Sequence, residues 1–74
     1  MKRMTCEEID GICDTVIEGS NFEEFLFNRL WHLQQAATIY PAHRRVLEEM
    51  ELMSADEKSK WEEDLRIKWN ELPE

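Results

Sequence analysis

Four segments of this 74-residue chain carry apolar residues at helical spacing, and two of them begin with the same capping signal. In a capping box, a Ser or Thr side chain accepts a hydrogen bond from the backbone three residues later, and a Glu at that later position bonds back. Thr5 with Glu8 and Ser54 with Glu57 fit this pattern. Such punctuation, repeated before apolar runs of helical period, restricts the chain to a largely helical fold.

The first two segments predict one helix over residues 6–18 and a second, capped by Ser20 or Asn21, that runs to about Ile39. The first has its apolar positions at Ile9, Ile12, Cys13, Val16 and Ile17. The second has one stripe formed by Phe22, Phe25, Leu26, Leu30, Leu33, Ala37 and Tyr40. Phe27 and Trp31 lie off this stripe, so we expect them to form an apolar patch unless another helix covers them.

The remaining segments predict a short third helix that begins at Pro41 and a last helix from about Ala55 to Glu71. The sequence has no Asn-Gly turn and no alternating β-branched run, so we predict no sheet. The predicted fold class is therefore all-α, a compact bundle of about four short helices in a single domain over residues 1–74. Its predicted core comprises Ile9, Cys13, Val16, Phe25, Leu26, Leu30, Leu33, Val46, Leu47, Met50, Trp61, Leu65 and Trp69.

Composition excludes several classes of protein. An apolar fraction of 42% with three Trp argues against disorder. No segment resembles a secretory signal or a membrane span, so we expect a cytoplasmic protein that does not bind a membrane. Cys6 and Cys13 would lie about 10 Å apart along one helix, too far for a disulfide. Two free thiols fit a reducing compartment.

Cys6, Cys13, His32 and His43 make a Cys₂His₂ set, which invites a zinc hypothesis. Structural zinc sites usually take their ligands in pairs two to four residues apart, whereas these pairs are seven and eleven residues apart. We therefore predict no metal ligands and no cofactor. Pairing Cys13 with His32 as nucleophile and base would need a tertiary contact that the sequence does not show. The prediction is a non-enzymatic protein with no catalytic residue.

Charge is the remaining signal. The net charge is −8, and residues 4–28 contain seven acids and no Lys or Arg, whereas residues 29–45 contain bases and no acid. On the predicted first helix, Glu7, Asp10, Asp14 and Glu18 would share one face at intervals similar to those of nucleic-acid phosphates. Such a stripe can attract a basic partner, although it can also serve solubility alone.

Short, acidic, helical proteins with such a stripe resemble the inhibitors that phages make against host defence, including anti-CRISPR proteins, several of which imitate nucleic acid. The resemblance implies a stoichiometric inhibitor in the host cytoplasm that occupies the basic nucleic-acid-binding surface of a protein partner, without binding nucleic acid directly. The alternative is a small structural or assembly module. It would associate with a second copy or with one protein partner through Phe27, Trp31, Arg44 and Arg45. Electrostatic mimicry should weaken steeply with salt, and apolar association should not.

Overall fold

The computed structural model describes residues 1–73 and shows a two-stranded sheet ahead of three long helices. The order of elements is β1 (Lys2–Thr5), α1 (Cys6–Asp10), β2 (Val16–Gly19), α2 (Phe22–Ala36), α3 (Pro41–Leu52) and α4 (Ala55–Glu71). The fold is a small α+β domain. The prediction of an all-α bundle with no sheet is therefore wrong.

The predicted first helix fails because its capping box starts only a short helix. Gly11 adopts a left-handed conformation with φ 72°, and its N–H donates to the carbonyls of Cys6 and Glu7, which ends α1 after five residues. Thr15, Val16 and Ile17 are three β-branched residues in succession, a composition that favours extended backbone. The apolar residues of this segment are therefore at helical spacing in the sequence, although they lie in a short helix, a turn and a strand.

Strands β1 and β2 pair in antiparallel fashion, with Met4 opposite Ile17 and Thr5 opposite Val16. The ladder continues beyond the strands, because the N–H of Cys6 donates to the carbonyl of Thr15 at 2.8 Å. The N–H of Glu7 donates to the carbonyl of Cys13 at 2.6 Å. These bonds close the loop that contains α1 and bring the backbones of its two cysteines together.

Helices α2, α3 and α4 follow their predicted caps closely. The Asn21 side chain caps α2, which ends at Ala36, three residues before the predicted end at Ile39. Helix α3 begins at Pro41 as predicted. Helix α4 spans Ala55–Glu71, also as predicted.

The core lies between the hairpin, α2 and α4. Four of its predicted members, Phe25, Leu33, Leu65 and Trp69, are confirmed as buried. Met4, Cys6, Ile17 and Phe22 are buried as well, although the prediction left them out. The remaining predicted members are partly buried (Ile9, Cys13, Leu26, Leu30, Val46, Leu47, Met50 and Trp61), except for Val16. Val16 is 49% exposed because alternate strand residues face opposite sides of the sheet.

Two further features concern packing and length. A Cβ placed on Gly19 would lie 2.6 Å from the backbone nitrogen of Phe25, so the absence of a side chain there lets β2 approach α2. Within residues 1–73, none of the helices is both long enough and apolar enough to cross a membrane.

Candidate metal centre

Four side chains that are distant in sequence converge at one end of the hairpin. Cys6 is the first residue of α1, and Cys13 lies in the loop before β2. His32 belongs to α2 and His43 to α3. One ligand atom from each of these residues lies within 4.8 Å of all the others.

The distances within this cluster match those expected around a tetrahedral metal ion. Cys13 Sγ lies 3.4 Å from Nε2 of His32 and 3.5 Å from Nε2 of His43. Cys6 Sγ lies 3.8 Å from the same His43 nitrogen. Zinc bonds of about 2.3 Å to sulfur and about 2.0 Å to nitrogen, at tetrahedral angles, separate sulfur from nitrogen by about 3.5 Å. The two sulfurs and two nitrogens can therefore ligate one ion with only small movements.

His43 is oriented by a contact on its other side. Its ring is fully buried, and Nδ1 lies 3.3 Å from the backbone carbonyl of Tyr40. If Nδ1 carries the proton and donates it to that carbonyl, Nε2 presents its lone pair to the cysteines. Outer hydrogen bonds of this kind fix the tautomer of metal-binding histidines. The His32 and His43 rings meet edge to face, with centroids 5.0 Å apart.

The two thiols differ in acidity in the metal-free protein. Burial raises the pKa of Cys6 to about 11, and the neighbouring Cys13 sulfur adds to this rise. Burial acts in the same direction on Cys13, but hydrogen bonds from the side chain and backbone of Thr15 and from both histidines outweigh it and lower its pKa to about 6. Near neutral pH the cluster therefore contains one thiolate and one thiol.

The four ligands of this cluster do not follow the paired spacing that is usual for structural zinc sites. Spacings of seven and eleven residues oppose a metal site only if each pair must come from one local turn. Here the cysteines are joined by the ladder that closes the α1 loop, and the histidines by the packing of α2 on α3. The separation of about 10 Å inferred for Cys6 and Cys13 likewise assumed one continuous helix. Gly11 and the run of β-branched residues were the signals that the helix breaks.

The contact between Cys13 and His32 also allows a nucleophile and base to be considered. A catalytic dyad needs a free approach for substrate to the sulfur and a third group that orients the base. In this cluster Cys6 and His43 surround the same point, so all four donors face each other. This arrangement suits an ion better than a substrate.

The predicted acidic stripe is not formed. Asp10 is 4% exposed at its side chain and is paired with Arg29, which is 3% exposed. Glu7 lies on α1, Asp14 in the following loop and Glu18 on β2, and these three carboxylates are exposed. The assignment of the four acids to one helical face is wrong because α1 ends at Asp10. Asp10 is a buried structural residue.

The other residues predicted to bind a partner are on the surface. Phe27 and Trp31, on α2, are 66% and 57% exposed. Arg44 and Arg45, on α3, are also exposed. Their role in binding stays a prediction.

The chain matches no protein-family model, no curated protein and no solved structure.

Proposed function

We propose that this chain is a zinc-binding domain in which Cys6, Cys13, His32 and His43 hold one Zn²⁺. The supporting observation is the convergence of their two sulfurs and two nitrogens within 4.8 Å. Two thiolates with two imidazoles form a soft, nitrogen-containing donor set that suits zinc, whereas magnesium and calcium prefer oxygen ligands.

The proposed role of the ion is structural. Four protein ligands complete a tetrahedral shell, which leaves no position for water or substrate. The ligands come from the α1 loop, α2 and α3, so one ion would link three parts of a chain whose size permits only a modest core. Because the unfolded chain lacks a preformed site, most of the metal-binding free energy stabilises the folded state.

A closed site also supports a non-enzymatic role, in which the metal maintains the fold and the surface binds a protein partner in the cytoplasm. The exposed aromatic pair Phe27 and Trp31 favours this reading. The narrower candidate function is inhibition of a host defence complex, in the manner of the anti-CRISPR proteins that phages make. Since the predicted acidic stripe is not formed, its remaining support is the net charge of −8 and the many exposed carboxylates.

Cobalt substitution tests the proposed ligand set directly. Reduced protein titrated with Co²⁺ is expected to develop the thiolate charge-transfer absorption and the intense visible bands of a tetrahedral site, saturating at one ion per chain. Cys13→Ser and His43→Gln should lose or strongly alter these bands.

The matched control is Leu65→Val, which loosens the core while leaving all four ligands in place. It should retain the full spectrum. If Leu65→Val and Cys13→Ser change the spectrum alike, the bands report folding rather than ligation. If the native protein gives only the pale spectrum of octahedral cobalt, the proposed site is wrong.

A further inference from the structure

A groove of about 460 Å³ runs between β2 and α2, next to the proposed metal ligands. Val16 and Trp31 line it from its two sides, and each leaves about half of its side chain exposed. His32 lines the same groove and is also one of the metal ligands. Seven of the eight residues that line the groove belong to β2 or α2, and the eighth, Thr15, directly precedes β2.

The ionic character of this groove is negative. Glu18 lines it and is the one acid among the lining residues, which include no Lys or Arg; Asn28 also lines it and donates from its amide to the Glu18 backbone carbonyl at 2.7 Å. Between residues 16 and 36 the single Lys or Arg is Arg29, whose charge is buried against Asp10. Arg3 lies directly opposite Glu18 in the register of β1 and β2, but the ion pairs found within residues 1–73 do not join the two.

The acids between residues 14 and 24 differ in whether their carboxylates already have a partner. Asp14 precedes β2 and is exposed. Glu24 accepts hydrogen bonds from Ser20, and Glu23 faces Arg66 at 3.7 Å. Glu18, which lines the groove and is exposed, is therefore the acid placed to meet an incoming cation.

We propose that this groove is the docking site for a cationic segment of a partner protein, with an Arg or Lys side chain laid on the Trp31 ring and its charge facing Glu18. An exposed Trp face attracts a cation, and a carboxylate beside it adds a charge of the required sign. Val16 supplies the apolar surface that the methylene groups of a long basic side chain cover. The proposal specifies the partner in the protein-binding role and does not require the metal.

A labelled hexa-arginine peptide is a suitable probe, with hexa-glutamate as the charge control. Fluorescence anisotropy should show binding of hexa-arginine alone to the metal-loaded protein, and NMR shifts should concentrate at Val16, Glu18 and the Trp31 indole. Trp31→Ala should weaken binding by about three- to five-fold, as for loss of an exposed cation–π contact. Glu18→Gln should weaken it by about two-fold.

The chain offers matched controls for both variants. Ile67→Ala removes a similarly exposed apolar side chain on α4, outside the groove, and Glu49→Gln neutralises an exposed acid on α3. Both should leave the affinity within the error of the native value. If the four variants weaken binding equally, attraction is general to an acidic surface and the groove is not the site. If hexa-arginine does not bind, or the NMR shifts lie elsewhere, the proposal is overturned, whatever the cobalt spectrum shows.

Discussion

The guanidinium of Arg29 donates two hydrogen bonds to the carboxylate of Asp10, from Nη2 to Oδ1 at 2.7 Å and from Nε to Oδ2 at 3.0 Å. The centroid of the Trp61 ring lies 4.3 Å from the guanidinium carbon. This buried pair joins the end of α1 to α2 and places α4 over it. Asp10 is one of the four acids of the predicted stripe, and its charge is buried against Arg29 instead of facing a partner.

Removal of one partner from this pair should be costly because the other charge stays buried. Asp10→Ala is expected to lower the free energy of unfolding by about 3–5 kcal/mol, measured by urea denaturation. Asp14→Ala, which removes an exposed acid four residues later, should change it by less than about 0.5 kcal/mol. Similar losses for both variants would mean that the pair contributes no more than a surface charge.

A side chain at Gly19 should disturb the contact between β2 and α2. The Cβ of Gly19→Ala would lie 2.6 Å from the backbone nitrogen of Phe25, so an element of backbone must shift. We expect a loss of about 1–3 kcal/mol in the free energy of unfolding, the usual cost of overpacking.

Gly11→Ala is the comparison for this variant, because it meets no atom within 4 Å but must adopt φ 72°. Its loss should be about 1 kcal/mol and come from backbone strain alone. Thermal unfolding should show a loss of stability for both variants. The near-ultraviolet signal of the packed aromatic rings separates the two causes, since only Gly19→Ala should alter it. A neutral Gly19→Ala would show that the strand does not approach the helix so closely.

Much of the helical architecture follows from local signals in the sequence. Pro41 at the start of α3 and the Ser54–Glu57 capping box of α4 act within one turn of the helix they begin, so they can be read without tertiary information. The hairpin could not be read in the same way. Its β1 strand has little apolar alternation of its own and is defined by the pairing of Met4 with Ile17.

The composition of the sequence contains the ligands of the candidate metal centre, but the spacing of these residues does not predict that they converge. Two Cys and two His are a complete ligand set, but their convergence depends on a strand ladder and on helix packing, neither of which a spacing rule encodes. Gly11 was the local clue. A left-handed helix cap at that position separates Cys6 from Cys13 into different elements and turns the second cysteine back toward the first.

The acidity of the two thiols predicts how zinc affinity depends on pH. Zinc binds thiolates, so every proton held by the cysteines must leave. With a pKa of about 11 for Cys6 and about 6 for Cys13, binding at pH 7–9 displaces about one thiol proton, and below pH 6 about two. The apparent affinity for zinc should therefore rise with pH up to pH 9, and more steeply below pH 6.

Competition with a chromophoric chelator, corrected for the chelator's own titration, measures this dependence. Cys6→Ser removes the proton that is displaced near neutral pH, so its residual affinity should vary less between pH 7 and 9. An apparent affinity that is constant or falls as pH rises would contradict thiolate ligation.

Native mass spectrometry of the reduced chain, after addition of a small excess of Zn²⁺ and desalting, is the direct test of whether these four residues bind zinc. We expect a single folded species with one zinc ion per chain, and metal-free species for variants that lack two ligands, such as Cys6→Ser with His43→Gln. A folded native chain that retains no zinc, or a two-ligand variant that retains as much as the native chain, would contradict the proposed zinc site.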